Sequence, residues 1–258
     1  MTLETVATAL REAEEGAFNI PPVRDRITTA EEAYAVQEIN TKARLAAGGR
    51  LVGRKVGLTN PAVQAQLGVD QPDYGMLFAD MEVMHDAMIP WSDAAQYKVE
   101  AEIAFILGRD LAHEQITSAD LIRAIDWVVP AIEIVGSRIQ NWDIRFVDTV
   151  ADNGSSAHFV LGSGIRRPDA VDLVGCKMHM AGSDGSKSEG TGAACYGSPL
   201  NAALWLARVM QAADRSLKAG DVVLSGALGP MIAATPGTRY EASIDGLGKV
   251  AVQFGDAA

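Results

Sequence analysis

Only 2 of the 258 residues are cysteine and only 4 are histidine. Cys176 and Cys195 are too few for a disulfide framework and do not form a C-x-x-C pair, so a reducing, cytoplasmic setting is expected. His85, His113, His158 and His179 show no H-E-x-x-H spacing, which argues against a histidine-zinc hydrolase. Basic residues are also scarce: 22 Lys plus Arg stand against 33 Asp plus Glu, a net charge of −11. That field repels polyanions, so nucleic acid and anionic membranes are poor partners. No apolar run approaches the ~20 residues of a membrane span. The first residues carry Glu4 in place of a basic stretch followed by an apolar one, so no secretory signal is expected. A G-x-S-x-G nucleophile elbow is missing too. The glycine-rich stretches 182–187 and 190–195 match neither the dinucleotide fingerprint nor the phosphate loop and read as hairpin turns.

What is there is the composition of a globular protein, 48% hydrophobic and 21% charged. Its length suits one large domain, or one domain with a small appendage. Residues 1–50 read as a helical N-terminal segment. Leu3–Glu15 is rich in Ala, Glu and Leu and stops at Gly16, ahead of Pro21 and Pro22. A second helix starts where Thr28 and Thr29 precede Glu31 and Glu32 in capping-box spacing, and it stops at Gly48 and Gly49. Residues 51–258 read as a β-rich catalytic domain. Short apolar runs at 51–56, 98–107, 127–135, 157–161, 174–180, 221–225, 239–244 and 250–254 are separated by turn residues. Helical stretches at 117–126 and 199–215 interrupt them. Strict strand-helix alternation is absent, which argues against a doubly wound parallel sheet.

The chemistry concentrates in three acids. In a strand, residues two apart share a face, so Glu100 and Glu102 project together while Val99, Ala101, Ile103 and Phe105 cover the other side. Two carboxylates that close repel unless a proton or cation lies between them, and a hard divalent ion with oxygen ligands resolves this. A solvent-facing polar strand edge would show the same alternation. Glu133 sits alone in the apolar run Pro130–Val135, and an ionised carboxylate is rarely buried without a partner. Paired beside the first strand it completes a three-carboxylate site suited to Mg²⁺ or Mn²⁺; on an edge it would simply reach water. Lys55 lies among glycines and apolar residues, where a lysine either loses its charge by desolvation, keeps it to bind a carboxylate, or is surface. The stretch 71–75 looks like a turn and 148–156 like a polar ligand loop, as many loops do.

Several segments together resemble one family. They are Gly53–Thr59, Gln71–Gly75, Val99–Phe105, Ile132–Ile139, Asp148–Ser156 and Gly197–Leu206, in family order along nearly the whole chain. The chain is similar to the 2-hydroxypenta-2,4-dienoate (2-keto-4-pentenoate) hydratases and 4-oxalocrotonate decarboxylases of aromatic catabolism, within the fumarylacetoacetate hydrolase superfamily. The resemblance implies an α+β, β-rich fold, a mixed β-sandwich roll with a helical N-terminal segment. It implies a divalent metal, usually Mg²⁺, on Glu100, Glu102 and Glu133. Lys55 and Asp73 are then the catalytic pair that contacts substrate and moves protons, and Ser155 and Ser156 are substrate-pocket residues. The implied reaction is metal-dependent hydration of a 2-hydroxydienoate, with decarboxylation of 4-oxalocrotonate as the alternative and an inactive partner subunit as a third reading. A homo-oligomer, of five or ten subunits, and association with a sister pathway enzyme are further implications. The stretch Ser225–Met231 departs from the family's Ser-Phe-Thr pattern after Ser-Gly, which leaves substrate length open. Arg54, Arg138 and Arg145 are candidates for a second substrate carboxylate.

Overall fold

The computed structural model describes residues 2–61, 64–65 and 69–257. Helix α1 (Leu3–Gly16) starts at Thr2, whose hydroxyl accepts from the Thr5 amide, and ends as Ala17 turns left-handed. Helix α2 (Ala30–Ala46) has the expected capping box: Thr29 accepts from Glu32 N–H, while the Glu32 carboxylate accepts from the Thr28 and Thr29 amides. Both pack into a small core with helix α4 (Phe146–Ala151), built on Val6, Leu10, Ile27, Val36, Phe146 and Val150.

Among the described residues, the remaining chain forms two sheets. The larger runs in the order β2 (Asp73–Phe78), β1 (Leu51–Gly57), β9 (Val222–Ala227), β4 (Lys98–Leu107), β5 (Ile125–Val135) and β6 (Ser156–Leu161), with β10 (Ile232–Ala233) added beside β4. The smaller orders β3 (Met88–Ile89), β12 (Gly248–Phe254), β11 (Arg239–Ile244), β7 (Lys177–Gly182) and β8 (Lys187–Thr191). Only β1 with β9 and β12 with β3 run parallel, and every other pairing is antiparallel. The small sheet packs on β5 and β6, whereas helix α5 (Pro199–Ala212) packs on β1 and β9. The main core, which includes Phe105, Phe159, Tyr240 and Phe254, fills the roll. Mixed sheets with helices added are the architecture expected from the sequence. No helix among the described residues is long and apolar enough to cross a membrane.

Several boundaries moved for local reasons. Residues 71–75 contain the start of a strand: after Pro72 the chain runs straight into β2, every residue of which is buried. Helix α3 (Ser118–Ala124) is shorter than 117–126, because the β-branched run after Ile125 belongs to β5. The run 174–180 becomes strand only at Lys177, since Asp172 Oδ1 captures the Val174 and Gly175 amides in a turn. Within 148–156, the first part is helical.

Candidate metal centre and active site

Strands β4 and β5 place the three acids. In their antiparallel register Glu100 stands opposite Glu133 and Glu102 opposite Ala131. Glu100, Glu102 and Glu133 each offer a carboxylate oxygen within 4.8 Å of the others. Glu102 and Glu133 are fully buried and Glu100 is partly so. Val99, Ala101, Ile103 and Phe105 point into the core, as the two-residue period requires.

The trio has few internal donors. Glu102 Oε2 accepts from the Gly226 amide at 2.8 Å, and Glu133 Oε1 accepts from Ser156 Oγ at 2.9 Å. Glu102 Oε1 and Glu133 Oε2 are buried with no hydrogen-bond partner. Burial of an unpartnered ionised oxygen is expensive, so these oxygens fit a hard cation as their partner. Three carboxylates with all-oxygen donors fit a divalent ion of that class and do not resemble a nitrogen-sulfur zinc site.

Lys55 enters from β1, opposite Gly75 of β2, and is 3% exposed. Its Nζ lies 3.4 Å from Glu133 Oε1. Burial alone would lower the ammonium, but the combined field of Glu133, Asp73, Glu100 and Glu102 outweighs it and holds Lys55 charged. Asp73 stands opposite Gly57 in the same strand pair and is 2% exposed. Desolvation raises its carboxyl; Lys55 pulls it down, Glu133 pushes it up and the Gly57 amide donates to it. Its Oδ1 is also a buried acceptor without a partner. Burial and then Glu133 push Glu100 up to about 7, and the same two causes, with Glu100, raise Glu102 well above the usual carboxylate range. Counting Glu100, Glu102, Glu133 and Asp73 against Lys55, the fully ionised cluster carries −4 + 1 = −3. A divalent cation offsets most of that.

The structure thus brings together Lys55, Asp73, Glu100, Glu102, Glu133 and Ser156. The neighbouring Ser155 hydroxyl pairs instead with Thr149 Oγ1 at 3.1 Å. Of the three arginines considered for a distal carboxylate, Arg54 is bound to Asp221 at 2.7 Å and Arg138 to Asp152 at 2.5 Å, while Arg145 is exposed.

Sequence reasoning missed the supports. Helix α2 buttresses β2: Tyr34 stacks on Tyr74 at 4.4 Å, and Gln37 Nε2 donates to the Tyr74 and Val150 carbonyls, each at 3.0 Å. Cys195, in a stretch read as a turn, is buried with Sγ 3.0 Å from the Ser225 carbonyl. Burial and then the negative field of Glu102 push its thiol up to about 12, so it is a neutral wall of the site and no nucleophile. A lone cysteine in a glycine-rich stretch carries no signal that would have placed it here.

Comparison with known proteins agrees with this geometry. The profile of the fumarylacetoacetate (FAA) hydrolase C-terminal domain matches residues 50–254. The chain is 57% identical to 2-keto-4-pentenoate hydratase 1 of Dechloromonas aromatica over 256 residues, covering 98% of this chain and 97% of that protein. It is 56% identical to the TodF product hydratase of Pseudomonas putida over 253 residues, covering 97% and 94% respectively. Among solved structures it superposes on 4-oxalocrotonate decarboxylase from Pseudomonas putida G7, complexed with magnesium and adipate. The TM-score is 0.91 and the identity 30%, with 98% of each chain covered.

Proposed function

The chain belongs to the fumarylacetoacetate hydrolase C-terminal family, and from that premise we propose that it is a metal-dependent hydratase. Its substrate is 2-hydroxypenta-2,4-dienoate or a slightly longer dienol acid, and its product a 4-hydroxy-2-oxo acid, within the catabolism of aromatic compounds. The observation that carries this is the buried trio of Glu100, Glu102 and Glu133 with Lys55 and Asp73 on the adjoining strands. The hydratase names of its full-length relatives at 57% and 56% identity support the reaction.

The three glutamates hold the cation, which we assign as Mg²⁺ or Mn²⁺. When bound, such an ion supplies Lewis-acid polarisation of a 2-oxo or 2-enol oxygen. Lys55, kept charged by its acidic neighbours, binds the substrate carboxylate or delivers the proton to C5. That protonation, with the C2 hydroxyl proton passing back to Lys55, converts the dienol into an enone whose C4 is electrophilic. Asp73, a stronger base for the rise that burial gives its carboxyl, accepts the proton of the water that adds at C4 and returns it to C3. Ser156 keeps Glu133 oriented, and Ser155 lines the pocket next to it.

The superposition on 4-oxalocrotonate decarboxylase makes decarboxylation the second reading. A diacid substrate calls for a second cation, and of the three candidates Arg54 and Arg138 are already engaged by Asp221 and Asp152 while Arg145 is exposed. That favours the monoacid. A cytoplasmic homo-oligomer of five or ten subunits, with residues 1–50 as a helical segment appended to a catalytic domain over 51–258, belongs to the same proposal.

The test is turnover of 2-hydroxypenta-2,4-dienoate with Mg²⁺, followed as loss of the dienol absorbance, with and without chelator. We expect 4-hydroxy-2-oxopentanoate only when metal is present. Release of CO₂ from 4-oxalocrotonate without hydration of the dienol would transfer the assignment to the decarboxylase.

A further inference from the structure

Immediately before β6 the chain makes an unusual turn. Asn153, Gly154 and Ser155 are all left-handed, with φ of 56°, 61° and 54°. Gly154 and Asn153 tolerate this region, but Ser155 does not, and three such residues in a row are held by surrounding contacts. These come from both sides. The half-buried Arg138 guanidinium brackets the turn, donating to Asp152 Oδ1 at 2.5 Å and Asp152 O at 2.6 Å before it, and to Ser156 O at 3.1 Å after it. The Asn153 amide grips the outer edge of β2: its Oδ1 accepts from Met76 N–H at 2.7 Å, and its Nδ2 donates to Met76 O at 3.0 Å. A side chain here stands in for the missing neighbour strand.

The consequence falls on Lys55. Gly154 lies so near its stem that a Cβ added there would sit 2.6 Å from Lys55 Cε and 3.2 Å from Nζ. The turn is therefore the wall against which the lysine rests, with its ammonium facing Glu133 at 3.4 Å. One residue beyond the turn, Ser156 reaches the same Glu133 oxygen. We propose that Asn153 is a positioning residue that acts through Gly154, fixing the Lys55 ammonium where it meets the substrate. The Asn153 side chain hydrogen-bonds to Met76 and to none of the acids. The inference rests on the assignment of Lys55 to substrate binding made above.

The experiment compares the full-length wild type with Asn153→Ala and Gly154→Ala in three measurements. These are Mn²⁺ affinity by calorimetry, affinity of the Mn²⁺-loaded protein for oxalate as a planar stand-in for the enol-acid head, and kcat and KM for the dienol. A displaced lysine lowers kcat/KM by about 10- to 100-fold, with oxalate weakened and KM raised by about tenfold each, while Mn²⁺ affinity stays within about threefold. Asn153→Asp, which keeps the acceptor for Met76 N–H and loses the donor, falls between wild type and Asn153→Ala. Unchanged kcat/KM and oxalate affinity overturn the proposal. So does loss of Mn²⁺ affinity in step with kcat/KM, or failure of both Asn153→Ala and Gly154→Ala to fold, because each makes the turn a purely structural element. If the wild type does not hydrate the dienol, the proposed reaction fails, and the oxalate measurement still decides the role of Asn153.

Discussion

Glu102 and Glu133 are both fully buried, yet they stand in opposite electrostatic positions. Glu133 has Lys55 and Ser156 as partners, whereas Glu102 has one backbone amide and two acidic neighbours. Neutralising one of them removes a repulsion; neutralising the other strips a buried ammonium of its nearest counter-charge. In chelator at pH 8 the melting temperature should therefore rise in Glu102→Gln, where the amide oxygen still accepts from Gly226, and fall in Glu133→Gln. Loss of one partner of a buried pair costs about 3–5 kcal/mol, reduced here by the remaining acids around Lys55. Both variants should lose at least about tenfold in Mn²⁺ affinity, each tenfold being about 1.4 kcal/mol. Thermal melts with chelator and with Mn²⁺ check this, and a shift of the same sign in both variants would contradict the charge assignment. The acids themselves were readable from the sequence because a strand's two-residue period puts Glu100 and Glu102 on one face, and because Glu133 interrupts an apolar run. Asp73 was not readable without the family resemblance, since Pro72-Asp73 has the chemistry of a turn and only tertiary packing makes it the first residue of a strand.

Among the elements, the strands with a strong periodic or continuous apolar pattern, β4, β5, β11 and β12, fell where the sequence put them. So did α2, because its capping box is a local signal. β8 escaped because Lys-Ser-Glu-Gly is poor in strand formers, and β2 because Pro72-Asp73 reads as a turn and Gly75 interrupts it; their pairing partners supply what the local sequence does not. Gly75 shows how tightly β2 is held. A Cβ there would lie 2.3 Å from the Asn153 carbonyl oxygen and 3.1 Å from Lys55 Cε, and backbone cannot yield as a flexible side chain can. Gly75→Ala should destabilise the protein by about 1–3 kcal/mol, the usual cost of overpacking a filled interior. Gly185→Ala, at φ 91° with open space around it, should show only the smaller cost of its backbone conformation. Urea unfolding of both variants measures the difference. A Gly75→Ala loss of no more than about 0.5 kcal/mol would mean that the close approach of β2 to the turn at Asn153 carries no energy of its own. The left-handed turn itself was invisible to sequence reasoning: Asp-Asn-Gly-Ser-Ser has the composition of any polar loop, and Arg138, which brackets it, lies more than ten residues away in the chain.

At the scale of the whole molecule, the carboxylate cluster couples folding, protons and metal. In the metal-free chain Glu100 is held at about 7, and Glu102 and Asp73 are also raised, chiefly because burial disfavours their charged forms. An unfolded chain ionises the same glutamates near their ordinary value of about 4.5. Between those limits the folded state holds more protons than the unfolded one, so its stability falls as pH rises through the window from about 4.5 to 7 and is most favourable below it. For Glu100 alone the change is on the order of 3 kcal/mol. A divalent cation reverses the sign of this dependence, because it binds the ionised carboxylates and must displace their protons. The stabilisation given by Mn²⁺ should accordingly grow from pH 5.5 to pH 8, while the melting temperature in chelator declines over the same range. Calorimetric melts at three pH values, with chelator and with saturating Mn²⁺, measure both slopes. A metal-free melting temperature that is flat or climbs between pH 5.5 and 8 would mean that the three glutamates are not the strained, cation-demanding cluster that the fold builds between β4 and β5. The same linkage makes hydratase activity depend on pH through metal occupancy, with proton release on Mn²⁺ binding as its direct signature in buffers of different ionisation enthalpy.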